Sequence, residues 1–259
     1  MRALRPLWLV MLACMLLGSA VHATPVTLRV AAQEGTEPKF IAAGKDRIIG
    51  FCVDLFRTME RIDPGLIFVG DQQWLPLVRA HSALANHQHD ALCAVQRTAE
   101  RERQYLYLDL PLFPLQYMLL ARTNDPVLIN GWDDVRKLGA QGVVLVNRGY
   151  STAETLERFG GLRINSSATS PAMNLQKLLA GRGRFFLHRG PDLQGFLARA
   201  GVAGKVKILP HVMYTTNVYM AMGTHVDPAV AARVQRALEQ MEKTGELARL
   251  LKKWDGYRD

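Results

Sequence analysis

VLVNRGYSTAETL, from Val144 to Leu156, holds a strand, a turn and a helix start within thirteen residues. The run from Gly142 to Val146 is apolar throughout, as in a strand buried on both faces. Ser151 to Phe159 then reads as a helix, with Ser151 and Glu154 spaced as in a capping box. Between the two, Gly149 permits a backbone angle closed to other residues and a close approach to a guest. A helix that starts there presents free N–H groups, so the turn is a candidate cradle for an anion or carboxylate, with Arg148 beside it. The competing reading of the same residues is an ordinary capped helix flanked by an exposed arginine.

Reading outward, strands and helices keep alternating. On the N-terminal side, Val26–Ala32, Leu66–Val69 and Asp90–Val95 read as strands. Gly50–Ile62 and Trp74–Leu84 carry apolar residues at helical spacing. A second series follows, with strands at Tyr117–Ala121, Gly142–Val146, Phe185–Leu187 and Val218–Met222. Its helices are Trp132–Leu138, Ser151–Phe159, Ser170–Ala180, Pro228–Met241 and Gly245–Trp254. This alternation predicts an α/β fold of two lobes, each a mainly parallel sheet flanked by helices. The expected first lobe is discontinuous, residues 24–113 plus 218–259, and the second is residues 114–217. Extended segments at Pro111–Leu115 and Tyr214–Asn217 would form the hinge. Ligands of open α/β sheets bind beyond the carboxyl ends of the strands, which places a site between the lobes.

The N-terminus sets the compartment. Arg2 and Arg5 precede an apolar run from Leu7 to Leu17, and Val21-His22-Ala23 suits a signal peptidase. This is the pattern of a secretory signal, and the run is short for a membrane span, so residues 1–23 are expected to be removed on export to the periplasm. The chain carries 32 basic against 23 acidic residues, two of the basic ones in that leader. No basic run is interleaved with aromatics, so nucleic acid is not the expected partner. Attraction of an anionic solute, or of an anionic membrane surface, accounts for the charge. Outside the leader stand Cys52 and Cys93 with no CxxC pair; they can bridge in an oxidising compartment or stay as two small buried apolar residues. His87 and His89 lack the further ligands of a zinc site, and no cofactor or metal is expected. Ser151 has no histidine nearby in sequence, so no nucleophile–base pair is evident and catalytic residues are expected to be absent. A monomer is expected.

Thr98-Ala99-Glu100-Arg101 follows directly on the strand ending near Val95. A guanidinium there can grip a carboxylate through two parallel hydrogen bonds, or be one more solvated charge beside Glu102 and Arg103. Taken in order, LRVAAQEGTEPKF (Leu28–Phe40), GFCVDL (Gly50–Leu55), WLPLVRAHSALANHQHDAL (Trp74–Leu92), RTAERERQYLYLDLPL (Arg97–Leu112), VLVNRGYSTAETL, LLAGRGRFF (Leu178–Phe186) and KTGELARLLKKW (Lys243–Trp254) resemble the bacterial extracellular solute-binding proteins of family 3, which include the polar amino-acid receptors. The resemblance implies a two-lobed periplasmic receptor whose partners are a small-molecule ligand and an ABC transporter permease or a membrane sensor. It implies that Arg101 grips a ligand carboxylate, with Thr98 in the same turn and Phe40 as an aromatic wall. Gly149, Tyr150 and Ser151 would meet the carboxylate from the second lobe, and Gln96 would stand near it. Two departures are informative. Glu37 occupies the usual aromatic wall position. FFLHRG (Phe185–Gly190) offers His188 or Arg189 where amino-acid receptors place the aspartate that pairs with the ligand ammonium. A buried ammonium facing an arginine costs several kcal/mol, so an anionic or neutral polar solute is expected. A dehydratase-like enzyme on this fold is the minor alternative.

Overall fold

The computed structural model describes residues 24–255, so the leader expected at residues 1–23 lies outside the described residues. The chain forms β1 (Val26–Arg29), β2 (Ala32–Gln33), β3 (Ile41–Ala42), β4 (Ile48–Ile49), α1 (Phe51–Ile62), β5 (Leu66–Val69), β6 (Trp74–Leu75), α2 (Leu77–Ala85), β7 (Ala91–Gln96), α3 (Ala99–Glu102) and β8 (Tyr105–Arg122). It continues with α4 (Trp132–Lys137), β9 (Val144–Asn147), α5 (Thr152–Phe159), β10 (Ile164–Ala168), α6 (Pro171–Leu179), β11 (Phe185–Arg189), α7 (Leu193–Arg199), β12 (Val206–Gly223), α8 (Pro228–Lys243) and α9 (Glu246–Trp254).

β1, α1 and β5 form a βαβ unit, with β1 and β5 parallel. The helix forms where it does because Phe51, Cys52, Leu55, Phe56 and Met59 recur on one face, and all five are buried. Phe56 stacks on Phe68 of β5 with ring centroids 4.7 Å apart. Cys52 and Cys93 are bonded, which ties the first turn of α1 to the middle of β7. α8 and α9 return to this lobe from the end of the chain. Arg233 donates from Nε and Nη2 to the two oxygens of Asp63, each at 2.8 Å, and this guanidinium holds the Asp63 carboxyl below its ordinary pKa. The Trp254 indole donates to Asp54 Oδ2 at 2.9 Å.

The other lobe centres on β9, which runs parallel to both β10 and β11. Leu145, Leu175, Leu178, Phe186 and Leu197 pack beneath it as a separate small core. Two strands of eighteen residues each, β8 and β12, link the lobes. They pair antiparallel along most of their length. At one end β12 borders β7, and at the other β8 borders β11. The segments expected as hinge linkers therefore lie inside continuous strands. Pro111 and Pro114 each lack an N–H to donate to the ladder, and the register shifts on both sides of Pro111. The parallel pairs expected in each lobe are β1–β5, β2–β6, β9–β10 and β9–β11, while the antiparallel ones are the short β3–β4 pair and those made by the crossing strands. Trp74–Leu75, read from sequence as the start of a helix, instead pairs with β2 as β6. Pro76 explains the difference, because its ring disfavours helix in the preceding residue.

Candidate functional site

β7 ends at the mouth of a narrow cavity between the lobes, and its last turns are irregular. Ala94 takes a φ of 52°, and the pairing with β12 shifts register between Tyr219 and Ala221. A bulge of this kind re-aims backbone groups. The Ala94 carbonyl accepts from Lys39 Nζ at 2.8 Å. Lys39 is only 6% exposed, and its second acceptor is Gln33 Oε1 at 2.5 Å. Gln33 is fixed in turn by donating to Cys93 O at 3.3 Å.

Arg101 reaches the same cavity from the single turn of α3, whose N-cap Thr98 accepts from the Arg101 backbone N–H at 3.3 Å. Its Nη1 donates to Gln96 O at 3.2 Å, and its Nη2 crosses the cleft to Gly149 O at 3.0 Å. Arg189 enters from the opposite lobe at the end of β11 and donates Nη2 to Gly35 O at 2.8 Å. The Tyr150 hydroxyl lies 3.5 Å from that same carbonyl. The lobes are therefore closed upon each other. Gly149 makes that closure possible: it takes a φ of 79°, and a Cβ there would fall 2.4 Å from Val78 Cγ2 of α2.

Two guanidiniums, Arg101 and Arg189, and the amine of Lys39 thus line one cavity, and no aspartate or glutamate lines it among the described residues. Burial lowers the Lys39 pKa well below its ordinary value, with Arg189 and then Arg101 adding to the effect. Burial also brings His81 down to about 2, helped by Arg101 and Lys39. Behind Arg189, burial and the neighbouring guanidinium bring His188 down to about 3. His188 faces away from the cavity and stacks on Phe196 at 4.6 Å.

A pH dependence of stability follows. In the unfolded chain His188 titrates near 6.5, so below that pH the unfolded state binds a proton that the folded state refuses. Stability should fall as pH drops below about 6.5, by about 1.4 kcal/mol per unit for His188, with His81 acting in the same direction. Urea midpoints between about pH 7.5 and 5 would show the decline, and His188→Gln should reduce its slope while leaving the part due to His81. A midpoint that stays level over this range would contradict the assignment.

The structure gathers most of the residues singled out in the sequence and disperses others. Arg101, Gln96, Tyr150, Ser151 and Arg189 line the cavity. Thr98 stands behind as the cap of α3. Gly149 contributes its carbonyl to Arg101 from the rim. Ser151 begins α5 but makes no side-chain capping bond, because its own backbone is already helical; the capping-box expectation fails there. Phe40 is a correction: it is wholly buried in the main core and forms no wall of the cavity. It follows Lys39, and in an extended chain neighbouring side chains point to opposite sides, so the lysine takes the cavity. Arg148 is a second correction, since it is exposed and only its backbone N–H is engaged, donating to Ala168 O at 2.7 Å. Glu37 lines a groove outside the cavity, 3.7 Å from Arg189 Nη2. Sequence reasoning missed Gln33, Lys39, His81 and Tyr117; the one available signal was the segment LRVAAQEGTEPKF, read for its phenylalanine and not for its lysine.

A two-lobed α/β body, crossed by two long strands and closed over a polar cavity, defines the periplasmic-binding-protein-like fold. The profile of bacterial extracellular solute-binding proteins, family 3, matches residues 28–257, and the chain belongs to that family. Among solved structures it is similar to a histidine kinase sensor domain with similarity to periplasmic binding proteins (TM-score 0.76, 20% identity, 90% of this chain and 97% of that one). It is similar also to a putative L-cystine ABC transporter protein from Listeria monocytogenes (TM-score 0.72, 19% identity, 89% and 96%). A third likeness is to the ancestral amino acid-binding protein AncCDT-1, a precursor of cyclohexadienyl dehydratase (TM-score 0.69, 20% identity, 88% and 95%). No curated protein matches the chain.

Proposed function

We propose that this protein captures a small carboxylate-bearing solute, one without an ammonium group, in the periplasm and delivers it to an ABC transporter. The lobes would be residues 24–113 with 218–259, and residues 114–217, closing about β8 and β12. The observation that carries the reading is the cavity lined by Lys39, Arg101 and Arg189 with no carboxylate among its walls. A ligand ammonium would face Arg189 where it needs an acid, at a cost of several kcal/mol. A ligand carboxylate finds the Arg101 fork on one side and, on the other, Tyr150, Ser151 and the positive end of α5. Because Arg101 and Arg189 belong to opposite lobes, an anion touching both favours the closed form.

Presentation of the closed form to a membrane sensor is a second reading, favoured by the likeness to a histidine kinase sensor domain. Catalysis is less well supported. An acid–base step needs a group that titrates near working pH; His81 is held at about 2 and no aspartate or glutamate lines the cavity, which leaves Lys39 without a partner acid or base.

A thermal-shift screen of small organic acids tests binding against catalysis. An acid at about 100 times its dissociation constant should stabilise the protein by about 2.7 kcal/mol, and it should be recovered unchanged. Conversion of the acid to a product would overturn the reading.

A further inference from the structure

Lys39 is a buried amine with no acid beside it in the cavity. Its Nζ meets two neutral acceptors, Gln33 Oε1 and the Ala94 carbonyl. Two acceptors satisfy the two N–H bonds of a neutral amine and leave its lone pair free; an ammonium would carry a third N–H and a charge. The charged and titratable groups around it come from every neighbouring element. Arg101 approaches from α3, Arg189 from β11 and His81 from α2. Tyr117 faces it from β8 and Tyr150 from the turn before α5. Glu37, on its own segment, lies outside the cavity and beside Arg189. Burial holds His81 neutral and pushes both tyrosine hydroxyls up, so none of these three gains charge near neutral pH.

A solute with one acidic group leaves one of the two guanidinium charges unanswered. A second acidic group answers that charge and, set against Nζ, removes the repulsion from Arg189 and Arg101 that helps to keep the amine neutral. We propose that Lys39 makes the cavity selective for small acids with two anionic groups and no ammonium, and that Nζ takes up a proton as such an acid enters. This rests on the reading of Arg101 as the grip for the first carboxylate. The lowered pKa of Lys39 in the ligand-free protein, caused by burial and then by Arg189 and Arg101, supports it. Bringing the second anion to Nζ reverses that balance, so affinity rises as pH falls through the interval between the raised and lowered pKa.

Calorimetric titration of the whole secreted protein with malonate, succinate and propionate tests this, in two buffers with different heats of ionisation. The expected result is binding of at least one dicarboxylate about tenfold or more tighter than propionate. The heat should differ between the buffers in the sense of proton uptake, and affinity should be higher near pH 7 than near about pH 9. Lys39→Met keeps the length of the side chain and removes the amine. It should abolish the uptake and bring the dicarboxylate down to about the level of propionate, while its ligand-free melting temperature falls modestly, since Gln33 Oε1 and the Ala94 carbonyl lose their donor. Equal heats in the two buffers, an unchanged dicarboxylate preference in Lys39→Met, or no dicarboxylate binding would each overturn the proposal. Arg101→Ala separates the two levels. If it weakens carboxylate binding while Lys39→Met does not, only the role of Lys39 falls. If it leaves binding intact, the reading of the site falls with it.

Discussion

Arg101→Ala is expected to weaken binding of the cleft solute by about 1.5–3 kcal/mol, roughly ten- to a hundredfold. The guanidinium stands on a single helical turn whose register is set by Thr98, and its two terminal nitrogens already address the cleft, one toward Gln96 O and one toward Gly149 O. A carboxylate would replace these neutral carbonyls with charged oxygens held in the plane of the fork. Arg101→Lys keeps the charge and loses the fork, so it should recover only part of the affinity. Calorimetry reads the loss directly. The melting temperature of the ligand-free variant serves as control and should move little, because α3 buries none of its own residues. Wild-type affinity in Arg101→Ala would mean that the anion sits elsewhere.

The second large effect concerns stability. Replacing Cys52 and Cys93 together by alanine should cost about 4 kcal/mol, the loop entropy released when a bridge spanning 41 residues is removed. The bridge joins α1 to β7, and β7 carries the Ala94 carbonyl that Lys39 uses and ends at Gln96 on the cavity wall. Loosening it should therefore weaken binding as well as lower the urea midpoint. A loss below about 1 kcal/mol would show that the covalent link adds little to holding the strand.

Much of this was legible in the residues alone, for identifiable reasons. α1 and β5 were read within a residue or so of their observed ends because a helical apolar face and a short β-branched run are local signals. The turn at Gly149 was legible for the same reason, since strand, glycine and helix stand in one short stretch. β8 and β12 were not, because they pass from one lobe into the other. Their burial changes along the strand, and Pro111 and Pro114 break the pattern that would mark β8 as one element. Lys39 was overlooked because lysine is seldom buried, and nothing near it in the chain announces Gln33, Ala94 or the two arginines. Phe40 was misplaced by one position in an alternating segment, which is enough to move a side chain from the cavity to the core. Of the two residues that FFLHRG offered in place of an acid, His188 and Arg189, β11 brings the arginine into the cavity.

A cleft walled by Arg101, Arg189 and Lys39 with no acid beside them favours a solute that carries no ammonium group. Mass spectrometry of whatever small molecule is released on denaturing the natively purified protein tests it most directly. An organic acid free of amino groups is the predicted occupant, and an α-amino acid in its place would contradict the account.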